Sequence, residues 1–114
     1  LANRSLSILT SVPAGTTDTR DLTPIPNGKT IVIKRVKISE PNGGDNKSSI
    51  FVVQWGTVGS FLEVFAGAIT GDFREIDLRE DLLGDGVKFI RILRQNTSAT
   101  NKRLMFWLEA FDRD

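Results

Sequence analysis

The sequence contains neither cysteine nor histidine. Without cysteine there are no disulfides, thiolate nucleophiles or thiolate metal sites, so the fold has to hold without covalent staples. Without histidine the chain lacks the commonest general base, the commonest transition-metal ligand and the one side chain whose unperturbed pKa lies between about pH 5 and 8. Many enzyme classes fall away with them, and no catalytic residue, structural metal or cofactor is expected. Long apolar runs are missing too: none approaches the roughly 20 residues of a membrane span, and the start of the chain has no charged segment followed by a long apolar stretch. A soluble protein with no membrane partner is the expectation. Nor is one sign of charge in excess, since 15 Lys and Arg stand against 14 Asp and Glu, a formal net charge of +1. The cations are spread along the chain, so the concentrated positive field that binds nucleic acid is not there, and no nucleic-acid partner is expected.

What is present suits one globular domain. The chain has 114 residues, 39% hydrophobic and 25% charged, which is enough for a real but modest core and gives no sign of disorder. Its organising stretch runs from Pro24 to Glu40. Asn27-Gly28 supplies a turn, because both residues tolerate positive φ, and Ile31, Val32, Ile33, Val36 and Ile38 are β-branched residues suited to a pleated surface. Ile31 and Ile33 share one face, whereas Val36 and Ile38 fall on the other unless an extra residue resets the pleat. A β-bulge near Lys34-Arg35 is therefore predicted.

Taken in order, Ser5 to Val12 reads as a strand with Leu6, Ile8, Thr10 and Val12 on one face. Pro13 and the Ala14 to Thr19 tract break it, and the chain to Asn27 is read as a long loop or extended arm with a short strand around Asp21 to Thr23. Such a stretch either crosses between two sheets of its own domain or lies across a neighbour. The Asn, Gly and Asp cluster at Pro41 to Lys47 is read as a hairpin tip, since it lacks the spaced acids of an EF-hand loop. Ser49 to Gly56 is a strand apolar on both faces. Phe61 to Phe65 and Phe73 to Arg79 follow as strands, the second half-exposed and charged like an edge. Glu80 to Gly86 is expected to form one helical turn. Val87 to Gln95 and Lys102 to Asp112 complete the pattern, and the core is expected to centre on Phe51, Val53, Phe89, Ile92, Phe106 and Leu108.

Seven or eight strands with no amphipathic helix predict an all-β, jelly-roll-like antiparallel β-sandwich. The jelly roll is preferred because the final strand is long and apolar on both faces, as it would be if paired inside the sandwich beside the opening strands. Residues 1–23 are assigned to an N-terminal strand and extended arm, and residues 24–114 to the sandwich, within a single domain. Paired carboxylates exist at Glu75 with Asp77 and at Asp81 with Asp85, but charges on the outer face of an edge strand commonly guard against aggregation. Arg91 with Arg94, and Lys102 with Arg103, are read as partners in surface salt bridges.

The run Ile25-Pro26-Asn27-Gly28-Lys29-Thr30-Ile31-Val32-Ile33-Lys34-Arg35-Val36 resembles the opening of small jelly-roll virion proteins of tailed bacteriophages, both head decoration (cement) proteins and tail or fibre modules. The ending Trp107-Leu108-Glu109-Ala110-Phe111 is similar to their final strand, so the resemblance spans Leu22 to Lys37 and the last strand. It implies a structural virion protein that binds and stabilises a capsid surface. Such a protein would be a homo-oligomer, expected as a trimer, with the major capsid protein or another virion protein as partner. It would be soluble in the host cytoplasm before assembly and afterwards located on the virion. The alternative is a receptor- or carbohydrate-binding module of a tail or fibre, which would use exposed aromatics. Trp55, Trp107 and most of the Phe residues fall at positions the strand pattern buries. The expected protein interface lies in the N-terminal segment, at Leu6, Ile8, Pro13, Thr16, Thr17, Arg20 and Leu22.

Overall fold

The computed structural model describes residues 3–40, 49–68 and 73–113. They form ten strands and no helix: β1 (Leu6–Ile8), β2 (Ser11–Val12), β3 (Thr17–Asp21), β4 (Thr30–Ser39), β5 (Ser49–Thr57), β6 (Ser60–Ala68), β7 (Phe73–Leu83), β8 (Phe89–Asn96), β9 (Lys102–Arg103) and β10 (Met105–Asp112). The first strand pairs antiparallel with the tenth, the second with the ninth, the third with the eighth, the fourth with the seventh and the fifth with the sixth. The chain is thus one long hairpin rolled on itself, with further pairings of β10 to β4 and β5 to β8 closing the roll. The result is a jelly roll of two four-stranded sheets, ordered β1-β10-β4-β7 and β3-β8-β5-β6, with the small β2-β9 pair between them. The hairpin tip expected at Pro41 to Lys47 and the chain start at Leu1 lie outside the described residues.

The stretch singled out by its β-branched residues is β4, which lies between β10 and β7. Ile33 faces Ala110 and Arg35 faces Glu109, leaving Lys34 with no partner on β10. On the other side Ile33 faces Glu80 and Arg35 faces Asp77, so Leu78 and Arg79 stand opposite the single Lys34. Arg79 adopts φ 56°, a left-handed conformation uncommon for a residue with a side chain. The predicted bulge is therefore real, and it does what the sequence requires: Ile31, Ile33, Val36 and Ile38 are all fully buried. At the head of the strand the Lys29 amide donates to the Pro26 carbonyl (3.1 Å) around Gly28, whose φ is 84°.

The core lies between the sheets. Ile31, Ile33, Val36, Ile38, Phe106, Leu108 and Ala110 of one sheet meet Phe51, Val53, Trp55, Phe65, Ile90 and Ile92 of the other. Phe51 and Phe106 touch across the gap with ring centroids 6.1 Å apart. Of the residues expected at the centre, Phe89 is the exception. It alternates with Ile90 and Ile92, so when those point inward it must point outward, where it is half-buried.

Three further expectations are corrected. Glu80 to Leu83 do not form a helical turn but extend β7, pairing with Ile33 to Thr30. Strand alternation buries Leu82 and leaves Leu83 exposed, and Gly84 then closes against the chain. A Cβ at Gly84 would lie 2.6 Å from the carbonyl oxygens of Ile25 and Pro26, so only glycine fits. The Ser5 to Val12 strand is split into β1 and β2, with the Thr10 carbonyl and hydroxyl turned to Arg94 at the break. Arg94 itself is not at the surface; it is fully buried. Residues 3–22 supply β1, β2 and β3, so the N-terminal segment crosses from the edge of one sheet to the edge of the other.

Candidate functional site

That crossing leaves a flank of the sandwich open. β1 is the edge of one sheet and β3 the edge of the other, and a cleft of about 350 Å³ opens beside them, lined by Arg4, Ser5, Leu6, Arg20, Asp21, Leu22, Thr23 and Ile25. Register fixes which side chains enter it. Leu6 is opposite the buried Leu108, and Arg20 is opposite the buried Ile92, so both point inward at the mouth of the sandwich. Leu22 and Leu6 pack on the core, and Ile25 is buried within it. Backbone bonds from Leu22 to Ile90 (2.9 Å) and from Ile25 to Lys88 (3.0 Å) hold this wall in place.

The charged groups of the cleft differ in how far they are committed. Arg4 donates through Nε and Nη2 to the two carboxylate oxygens of Asp112 (2.8 and 3.0 Å). Its guanidinium holds the Asp112 carboxyl below the ordinary Asp value. Asp21 accepts from Nε and Nη2 of Arg91 (2.7 and 2.9 Å) and is likewise held low. Arg20 has only a 3.6 Å approach to Asp18 Oδ2, and that oxygen already accepts two hydrogen bonds from Arg94 (3.1 and 2.8 Å). Arg20 is therefore a cation held by an ion pair without a hydrogen bond, beside an apolar floor.

The structure brings Leu6, Arg20 and Leu22 of the expected interface together in this cleft. Ile8 is 4% exposed and belongs to the core instead. Pro13 and Thr16 are exposed at the β2–β3 reversal, where the Thr16 hydroxyl donates to the Pro13 carbonyl (2.8 Å). Thr17 is exposed on the edge strand β3, opposite Gln95.

Glu75 and Asp77 share the Arg35 guanidinium, whereas Asp81 and Asp85 are engaged separately. Arg35 Nη1 donates to Glu75 (3.0 Å), while its Nε lies 3.8 Å from Asp77 and 3.0 Å from Glu109. The Nε contact to Glu109 is an ion pair whose angle does not make it a hydrogen bond. Asp81 pairs with Arg113 (2.6 Å), and Asp85 caps the following turn by accepting from the Val87 and Lys88 amides (2.9 and 2.8 Å), which lowers its pKa. Lys102 binds the buried Glu40 (2.5 Å). Among the described residues no group of three or more acidic side chains is gathered as for a metal ion.

Among the buried polar side chains are Arg94, expected in a surface salt bridge, and Asn96, to which the sequence reading gives no role. All five N–H donors of Arg94 are used: two on Asp18, one each on the Thr10 carbonyl (2.8 Å), the Leu104 carbonyl (2.6 Å) and the Thr10 hydroxyl (2.8 Å). Asn96 donates to the carbonyls of Val12 (2.9 Å) and Thr100 (2.8 Å). The signal was their alternation with Ile90 and Ile92, which puts Arg94 and Asn96 on the inward face.

The outer face of the β3-β8-β5-β6 sheet is also informative. Adjacent strands set Leu93, Val52 and Ala66 side by side, with Ile50 and Ala68 in a neighbouring row. Beyond them Asp21, Arg91, Gln54 and Glu63 form a polar row. At the far end Phe61 and Phe89 flank Gly56, meeting nearly edge to face (82°, centroids 5.6 Å apart). Arg91 lies over both rings at 4.8 and 5.7 Å.

Fold and flank together define a jelly-roll β-sandwich with an open cleft at one pair of sheet edges. No protein-family model matches the sequence, and no curated protein matches it significantly. Solved structures do share the fold. PirA aligns with a TM-score of 0.55 at 15% identity, over 91% of this chain and 92% of that one. The N-terminal cellulose-binding domain of Cellulomonas fimi β-1,4-glucanase C aligns at 0.52 and 15%, over 96% of this chain and 89% of that one. A chain in the structure of the infectious bursal disease virus Gt strain aligns at 0.50 and 10%, covering 95% of this chain but 31% of that one. At such identities the likeness is one of fold, and this fold serves binding domains and virus particles alike.

Proposed function

We propose that the chain is a non-enzymatic structural protein that works by contact with other proteins, as a homo-oligomer that docks on and stabilises a capsid surface. The trimer, the phage virion and the capsid-protein partner follow from the resemblance at Ile25 to Val36. The observation that carries the protein-binding reading is the outer face just described. A two-layer sandwich needs apolar residues on its inner faces only, yet Leu93, Val52, Ile50 and Ala68 lie half-buried on the outside of one sheet. An apolar patch of this kind on a sheet face is characteristic of a surface that meets another protein.

Carbohydrate binding is the competing use of such a face. It would need several aromatic rings open for stacking, but Phe61 and Phe89 stand edge to face beneath Arg91, the half-buried Trp107 lies beneath Lys37 (3.9 Å to its centroid), Trp55 is 6% exposed, and Phe73 is the large aromatic that stands exposed among the described residues. Sedimentation velocity separates the two. The wild-type protein should sediment as an oligomer and co-sediment with capsids. Val52→Lys combined with Leu93→Lys, both outward-facing, should shift it toward monomer while circular dichroism stays unchanged. A protein that is monomeric at all concentrations, does not bind capsids and is retained on a glycan surface would overturn the proposal.

A further inference from the structure

We infer that the cleft between β1 and β3 is a docking site for a carboxylate of the partner protein, an Asp or Glu side chain or a chain-terminal carboxylate carried next to an apolar residue. The inference rests on the protein-binding reading above and names the chemistry its partner would present. Three observations carry it. The first is size: about 350 Å³ is at the small end of ligand cavities and takes a residue or two, not a folded element. The second is the balance of charge. Arg4 is matched by Asp112 and Asp21 by Arg91, each through two hydrogen bonds, which leaves Arg20 as the cation whose N–H donors have no hydrogen-bonded acceptor. Its neighbour Asp18 forms an ion pair with it, Nε to Oδ2 at 3.6 Å, on an oxygen that also accepts from Arg94, and no hydrogen bond joins Arg20 to Asp18. A guanidinium with open donors is shaped for a carboxylate, which can accept two parallel bonds.

The third is placement. By register Arg20 points to the inward side of β3, level with Ile92, and it lines the same cleft as Leu6, Leu22 and Ile25. An incoming residue would lay its apolar part on those side chains and bring its carboxylate to Arg20. Thr23, also in the lining, adds a hydroxyl, whereas the Ser5 hydroxyl is engaged with the Ala110 carbonyl and amide. Asp21 does not repel the ligand's charge, because Arg91 neutralises it.

The test uses N-acetyl-leucine as the probe, a carboxylate on an apolar body, with N-acetyl-leucinamide as the uncharged control, both titrated into the full chain and followed by amide and methyl NMR. Saturable shifts at Leu6, Arg20, Leu22 and Ile25 are expected with the acid. The amide should bind about tenfold more weakly or not at all, since a charge-assisted hydrogen bond is lost. Arg20→Gln should bring the acid down to the amide's affinity with an unchanged spectrum elsewhere, and Arg20→Lys should recover part of it. Equal binding of acid and amide, shifts outside the cleft, or no effect of Arg20→Gln would overturn the inference and leave Arg20 as a charge that guards a sheet edge. The broader reading fails separately. If Arg20→Gln still co-sediments with capsids as wild type does, the cleft is not the contact, whereas a wild-type protein that never binds them removes the protein-binding proposal itself.

Discussion

Arg94 is the residue whose loss should be felt furthest from its own strand. It is fully buried, and its five donors join β8 to β3 through Asp18, to the β1–β2 break through Thr10 and to the β9–β10 break through the Leu104 carbonyl. Asp18→Asn keeps the shape but leaves a buried cation without its counter-charge. Breaking a fully buried pair costs about 3 to 5 kcal/mol. Because the Asp18 side chain is 27% exposed, water can reach it, and about 2 to 4 kcal/mol is expected. Arg94→Met removes the charge together with its bonds. The Thr10 carbonyl keeps the Leu104 amide as a donor (3.4 Å), whereas the Leu104 carbonyl loses a 2.6 Å bond, a loss of about 1 to 3 kcal/mol. The double variant, with neither charge, should cost less than the sum of the singles by at least about 1 kcal/mol, the coupling expected of residues in direct contact. Urea unfolding followed by tryptophan fluorescence measures all three, since Trp55 is buried in the core. Against a total stability of about 5 to 15 kcal/mol the singles should be unmistakable. An Asp18→Asn midpoint within error of wild type, or strict additivity in the double variant, would refute the reasoning.

Other outcomes follow from the packing. Phe106→Ala, at the centre of the sandwich, should cost about 3 to 5 kcal/mol in the same assay, and Phe89→Ala, half-exposed on the outer face, clearly less; equal losses would mean the faces of β8 are misassigned. Gly84→Ala should destabilise by about 1 to 3 kcal/mol, because the new methyl meets backbone oxygens that cannot swing aside. Acid should destabilise in a definite direction. The folded-state pKa values of Asp21, Asp85 and Asp112 lie below the ordinary 3.8, so the stability they contribute is complete above that value and is lost as pH falls through the lower, folded-state values. The urea midpoint should therefore fall between about pH 5 and pH 2, less steeply in Asp112→Asn, and a flat profile would contradict the pairings.

How much of this was legible depended on whether the relevant contact was local. The bulge at Lys34 could be read because two short apolar alternations in one strand cannot both face the core without an extra residue between them. The jelly roll could be read from a final strand apolar on both faces, which the structure places between β1 and β4. Leu82-Leu83 was misread because two adjacent leucines near a glycine suit a helical turn as well as the end of a strand, and only pairing with Thr30 and Ile31 decides it. Arg94 alternates onto the same face as Ile90 and Ile92, yet the sequence reading makes it a surface salt-bridge partner. Its charge argued for exposure, and the groups that make its burial tolerable lie 76 residues away at Asp18 and 84 away at Thr10.

The cleft shows the same limit at the level of the fold. Nothing local marks Arg4, Leu6, Arg20 and Ile25 as neighbours, because they meet only when the N-terminal segment crosses between sheets and leaves β1 and β3 as two unpaired edges side by side. That crossing is held by the buried Arg94, whose bonds to Asp18 and Thr10 fix the path of the segment just beyond Leu6 and just before Arg20. An interior charge cluster thus ties together the two stretches of chain that follow β1 and run through β3. Loosening it by Asp18→Asn should weaken carboxylate binding at Arg20 even in protein that remains folded, although Asp18 would no longer compete for the guanidinium. The sign of that change separates two roles for Asp18: weaker binding means that it acts mainly through the position of β3, and tighter binding means that it acts mainly as an internal competitor for Arg20.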